Sequence, residues 1–225
     1  MITFRRTLLD EILERAVPLM RGRVLDVGGR RRNPRGAFRP PLHQVASWRY
    51  LNPDAASIPD CRGMAESIPL SSDSVDTIVM TEVLQYVESP RKVLAEVRRV
   101  LSPGGICLVS VPFLIPVHGD FQVDRRRFTA LILREMFDAA GFSEIDIVSM
   151  GALGSVLYDL LHVAFGYALE GRRPVAARFM RGVLAGCRPL FGILDRLSRS
   201  LDKYITTGYF VTARKGAPCF GQAAL

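Results

Sequence analysis

The stretch Arg23–Arg30, RVLDVGGR, decides the fold. Val24, Leu25 and Val27 favour a strand, Asp26 interrupts them, and the pair Gly28-Gly29 ends the run. A buried strand that runs into glycines can turn sharply and set bare main chain against a ligand, because no Cβ intervenes. In open α/β sheets, the carboxyl end of a first parallel strand is where nucleotide-like cofactors bind.

Working outward, Leu8, Leu9, Ile12, Leu13 and Ala16 fall on one face of a helix expected over residues 4–20, which Gly22 ends. After the glycines comes RRRNPRGAFRPP (30–41), whose five arginines and three prolines predict a basic loop, either a surface excursion or a lid over Gly28 and Gly29. Strands are expected at Ser47–Leu51, Val75–Thr81, Ile106–Val111, Ile145–Val148 and Tyr209–Ala213. A helix over Pro90–Leu101 buries Val93, Leu94, Val97, Val100 and Leu101 and stops at Ser102-Pro103-Gly104-Gly105. Another, Phe128–Ala140, has Thr129 as its N-cap and Gly141 just past its end. Residues 153–202 read as a helical insertion broken by Gly171, Pro174 and Pro189. Strands alternating with helices predict an α/β fold, Rossmann-like and doubly wound around a mostly parallel sheet.

The chain of 225 residues carries 30 Lys and Arg against 22 Asp and Glu, a net charge of +8. Such an excess is read either as a spread of solvated arginines or as an anionic partner. Cys61, Cys107, Cys187 and Cys219 lie far apart without a C-x-x-C pair, which predicts neither zinc site nor disulfide framework. Reduced thiols, a charged amino terminus and the lack of a long apolar run lead to an expected cytoplasmic location, with the inner membrane surface as the alternative. Gly28-Gly29-Arg30 does not continue as G-x-G-x-x-G into a helix, which argues against NAD or FAD.

Five pieces, VLDVGG (24–29), GMAESIPL (63–70), SVDTIVMTEVLQYV (74–87), RKVLAEVRRVLSPGG (91–105) and VSVPF (109–113), occur in one order and spacing. Together they resemble the class I S-adenosylmethionine-dependent methyltransferases, nearest the type 11 small-molecule branch, over residues 20–150. The resemblance implies a seven-stranded sheet with the helical insertion before its last strand, and S-adenosylmethionine as cofactor. It also implies a cofactor set of Asp26, Gly28, Gly29, Asn52, Met64, Ala65, Glu66, Thr81 and Glu82. Asn52 stands where the family has an acid for the ribose hydroxyls, and Met64 where an acid meets the adenine amine. Tyr86 replaces a common His. These departures leave two readings open: drift in a working enzyme, or a degraded pocket in a non-catalytic binding protein.

Transfer from a sulfonium is an in-line displacement, so alignment of the reactants does most of the work. The segment PFLIPVHGD (112–120), followed by Asp124, Arg126 and Arg127, resembles one found in family members linked to glycan modification. His118 is the candidate general base for an oxygen acceptor, with Asp120 or Asp124 orienting its ring. Tyr86 and Arg126 are candidates for holding the acceptor, a small molecule or glycan. His43 and His162 are expected to be structural, and Trp48 and Tyr50 to belong to the core. No metal and no specific nucleic acid are expected.

The expected division is a cofactor-binding core (1–152), the insertion (153–205) as substrate cap or interface, a last strand (206–215) and a flexible tail (216–225). Val156, Leu157, Leu160, Leu161, Ala164 and Phe165 give the insertion an apolar face, and seven arginines follow between residues 172 and 199. Core packing, a homodimer contact and a peripheral contact with anionic lipid are its three readings.

Overall fold

The computed structural model describes residues 3–31, 36–117, 123–170 and 174–216. Its sheet contains β1 (Arg23–Val27), β2 (Ser47–Leu51), β3 (Val75–Thr81), β4 (Leu101–Pro112), β5 (Phe142–Met150) and β6 (Gly208–Lys215), in the order β2-β1-β3-β4-β6-β5. The pairs β1–β2, β1–β3 and β3–β4 are parallel, and β6 is antiparallel to both neighbours, so β5 runs with the first four. The expected class is observed, with six strands among the described residues where seven were expected. Between β2 and β3 the described chain forms a 3-10 turn (Ala55–Ser57) and two isolated bridges, Leu51 to Cys61 parallel and Met64 to Ser67 antiparallel, but no strand. Pro53, Pro59 and Pro69 crowd that stretch, and a residue without an N–H cannot donate to a ladder.

Alternation along the strands sends side chains to two cores. On one face Leu25, Val27, Ile78, Met80, Cys107 and Val109 pack beneath α2 (Pro90–Val100) and α3 (Ala130–Ala139). On the other, Val24, Val79, Ile106, Leu108 and Phe210 meet Leu9, Leu13 and Ala16 of α1 (Phe4–Ala16). Thr129 caps α3 as its sequence predicts, its hydroxyl accepting from the Ile132 N–H at 3.3 Å. The Ser102–Gly105 break lies inside β4, where Leu101 pairs with Val75 and the ladder resumes with Ile106 opposite Thr77.

The insertion is a helical hairpin of α4 (Leu153–Glu170) and α5 (Pro174–Leu197). Pro189 does not break it, contrary to expectation: α5 runs through that position, where Pro189 is exposed and can shed its ring clash by a bend toward solvent. The hairpin is tied to α1 by Asp159, which accepts from the backbone N–H groups of Phe4 (2.6 Å) and Arg5 (3.0 Å). Residues 217–225 lie outside the described residues.

Leu94 is fully buried between α2 and the sheet, whereas Leu131 on α3 is 65% exposed. Leu94→Ala is expected to cost about 2–5 kcal/mol in denaturant unfolding and Leu131→Ala less than about 0.5 kcal/mol. Equal losses would show that α2 is not packed as described.

Candidate cofactor site at the head of the sheet

At β1 the chain reverses its direction of travel across the sheet, β2 lying on one side and β3 on the other. The crevice above such a point is where doubly wound proteins bind ligands. A cavity of about 650 Å³ sits there. Its floor is Asp26, Gly28 and Gly29 from the end of β1, with Val79, Thr81 and Glu82 from the end of β3.

The glycine turn is fastened from below. Gly28 has φ +80° and donates its N–H to Leu51 O at 2.8 Å, and a Cβ there would drive into Val83. A Cβ on Gly29 would overlap the carboxyl group of Asp26. Asn52 is buried, and its amide donates to Gly28 O (3.2 Å) and Gly29 O (3.0 Å) while its Oδ1 accepts from the Asp54 N–H at 3.0 Å. The residue thus braces the turn instead of facing the cavity. The double donation suits Asn at this position, since an ionised Asp would point acceptor oxygens at two carbonyls.

Asp26 lies deep in the protein, with part of its surface open only to the cavity. Burial pushes its carboxyl up to about 7, against the pull of Trp48 and the Arg6 guanidinium. The Trp48 indole N–H is near enough to oppose the shift yet outside strict hydrogen-bonding geometry. Glu82 takes a left-handed backbone, φ +58°, unusual for a residue with a side chain. Its carboxylate is fixed by the Ser110 hydroxyl (2.9 Å) and by an ion pair with Arg5, the two partners being 10% and 9% exposed.

The structure therefore brings Asp26, Gly28, Gly29, Thr81, Glu82 and Tyr86 around one cavity. Met64 is 54% exposed, Ala65 is buried in the core under α2, and Glu66 accepts from the Glu88 N–H at 3.0 Å; none of the three lines the cavity. Arg126 donates to the carbonyls of Val87 (2.6 Å) and Glu88 (3.0 Å) and also lies off it. Asp124 is held in a fork by Arg127 at 2.5 and 2.8 Å. His118 and Asp120 lie outside the described residues, though Ile115 and Pro116 just before them line the cavity. Among the described residues no cluster of His, Cys, Asp and Glu could hold a metal.

Several lining residues escaped the sequence reading. Thr3, the N-cap of α1, and Arg5, Arg6 and Leu9 within α1 line the cavity, as do Asp159 and Val163 from α4. Tyr50, expected in the core, also lines the cavity, with the Arg31 guanidinium 5.7 Å from its ring centroid. The two-residue spacing of Trp48 and Tyr50 marked a shared face, but not that the cavity begins between them.

Comparison with known proteins agrees with this geometry. Residues 41–109 match the family described as a methyltransferase domain. Over that stretch, 69 of the 225 residues, the chain resembles a methyltransferase domain. An uncharacterised protein of Methanocaldococcus jannaschii is 26% identical over 183 residues, covering 74% of this chain and 86% of that protein. A 37-residue stretch is 62% identical to the thiol S-methyltransferase TMT1B of Homo sapiens, spanning 16% of this chain and only 15% of that protein. Among solved structures, the [4+2]-cyclase SpnF shares the fold with TM-score 0.58, 22% identity and coverage of 93% of this chain and 81% of that one. Phosphoethanolamine N-methyltransferase 2 of Haemonchus contortus, in complex with phosphomonomethylethanolamine and S-adenosylhomocysteine, gives TM-score 0.57 and 15% identity, covering 93% of this chain and 52% of that one.

Placing an acid at position 52 is expected to weaken the glycine turn. Asn52→Asp removes two donations and sets a carboxylate against two carbonyls, a loss of about 1–3 kcal/mol in thermal unfolding at pH 7. A variant as stable as the parent would refute the bracing role.

Proposed function

We propose that this protein transfers a methyl group from S-adenosylmethionine to a small-molecule acceptor. The observation that carries the reading is the cavity floored by Gly28, Gly29 and the Asp26 carboxyl, a turn packed so tightly that a Cβ on either glycine would collide with Val83 or Asp26. Residues and cofactor fit: Asp26 offers a carboxylate to an ammonium, and the glycine turn admits close approach of a ligand. When bound, S-adenosylmethionine supplies an electrophilic methyl group.

The chain's own work is positioning. Ser110 and Arg5 hold Glu82 in one orientation at the end of β3, facing the cavity. Tyr86, Ile115 and Pro116 form an apolar wall that excludes water from the reacting atoms. His118 follows that wall by two residues, and we assign it as base for an oxygen acceptor, with Asp120 beside it in sequence. A glycan hydroxyl fits this chemistry.

A second reading, a binding protein without turnover, draws on Asn52 and Met64. Asn52 is turned into the glycine turn and Met64 is exposed away from the cavity lining, which supports a pocket that departs from the family pattern. Label from methyl-labelled cofactor moving into pooled small hydroxylated compounds supports transfer. Binding heat without label transfer from any pool supports the second reading.

The raised Asp26 carboxyl makes binding depend on pH. Its folded value, about 7, lies above the unfolded one, so the folded chain holds a proton there that the unfolded chain releases, and stability falls as pH rises from about 4 to about 7. An ammonium ligand reverses that preference and expels the proton. Calorimetric affinity for S-adenosylmethionine is therefore expected to rise about tenfold per unit as pH climbs toward 7, and to fall again above about 8 as the ligand's own ammonium loses its proton. Gly28→Val, which collides with Val83, abolishes the heat. Affinity flat from pH 5.5 to 8.5 would remove Asp26 from the site, and no heat at any pH would remove the cofactor.

A further inference from the structure

The outer surface of the α4–α5 hairpin is unlike the rest of the molecule. Along α5, Val175, Phe179, Val183, Leu190, Ile193 and Leu197 are exposed, Val175 and Leu197 each to 79% and Phe179 to 69%. Their spacings of four, four, seven, three and four keep them within about 80° of arc at 3.6 residues per turn, an unbroken stripe about 35 Å long. Gly186 falls within the same arc, and the space where a Cβ would stand there is open, so the stripe has no bulky interruption. Leu157, Leu160 and Leu161 of α4 are half-exposed. The inward side of α5 is separate: Leu184 is buried, and Asp195 accepts from the N–H groups of Ala152 (2.9 Å) and Ser155 (2.8 Å) at the start of α4.

Charge selects what covers the stripe. Arg178 and Arg196 are exposed on one flank, about 100° of helix rotation from its centre. Asp195 is the one acid in α5, and it is tied inward. Asp159 in α4 is buried against α1. No exposed acid therefore lies on the hairpin among the residues whose side chains are described. A second copy seated on this face would meet arginines with arginines, whereas an anionic surface would meet them with compensation. No helix among the described residues is long and apolar enough to cross a membrane, so the contact lies in the plane of the surface.

We propose that the outer face of α5 is a docking surface for a bilayer rich in anionic lipid, with the apolar stripe in the acyl boundary and Arg178 and Arg196 at the headgroups. The other helix of the hairpin, α4, contributes Asp159 and Val163 to the cavity, so docking sets the cavity on the hairpin that meets the bilayer. An amphiphilic acceptor could then reach it without crossing bulk water.

The test is co-sedimentation of the full chain with vesicles of phosphatidylcholine alone or with three parts in ten phosphatidylglycerol. Binding is expected to the anionic vesicles, reduced but retained in half-molar salt. Phe179→Asp with Leu190→Asp, both on the exposed stripe, is expected to cut it by at least about tenfold while leaving the thermal midpoint unchanged. Arg178→Gln with Arg196→Gln is expected to remove the preference for anionic vesicles. Absence of binding at low salt overturns the proposal. So does binding that vanishes with salt and ignores the stripe variant, which would be generic attraction by net charge. A stripe variant that converts a dimer to a monomer in sedimentation velocity without altering vesicle binding also overturns it, in favour of contact between copies.

Discussion

A carboxylate seated directly beneath a glycine is the constraint on which the rest of the structure turns. Asp26 occupies the space that a side chain at position 29 would need, and Asn52 holds both glycine carbonyls from the neighbouring strand. Neither arrangement tolerates much movement. The parallel register of β1 with β2 sets Asp26 opposite Tyr50 and Val27 opposite Leu51, which brings Asn52 under the turn. Sheet register and cavity floor are one feature seen from two directions.

The same packing holds a charge that the protein would discard if stability alone mattered. Burial without a strong partner keeps Asp26 near the middle of the physiological range, and a neutral residue would fit the unliganded fold better. Strain at Glu82 has the same character: a left-handed backbone held by a buried ion pair and a hydroxyl, at the rim of the cavity. Local costs gathered around one void are a mark of a site shaped for a ligand rather than for the fold itself.

Much of this was legible in the chain. Apolar spacing placed α2 and α3, Thr129 announced its cap, and Val-Leu-Asp-Val-Gly-Gly marked the floor of the cavity. What stayed hidden depended on contacts between distant segments. Asn52 looked like a weakened ribose acceptor because sequence gives a residue's type and not its direction; only the fold reveals that its amide points down into the turn. The apolar spacing of α1 gave no sign that Arg5 is buried against Glu82, which follows β3 far along the chain. Prolines misled in opposite senses. Pro53, Pro59 and Pro69 suppressed a strand that the resemblance implied, while Pro189, on an exposed helix face, interrupted nothing.

The Asp159 clamp bears on the order in which the molecule can be completed. The first turn of α1 has its leading N–H groups satisfied by a residue 155 positions later, and the Arg5 on that turn faces Glu82. A ribosome must therefore release well over half the polypeptide before the opening helix can settle, and the nascent sheet waits with one wall of its hollow unbuilt. Such a late closure gives a newly made chain no early refuge in its own ligand, which leaves chaperones to shield the exposed strands in the interval.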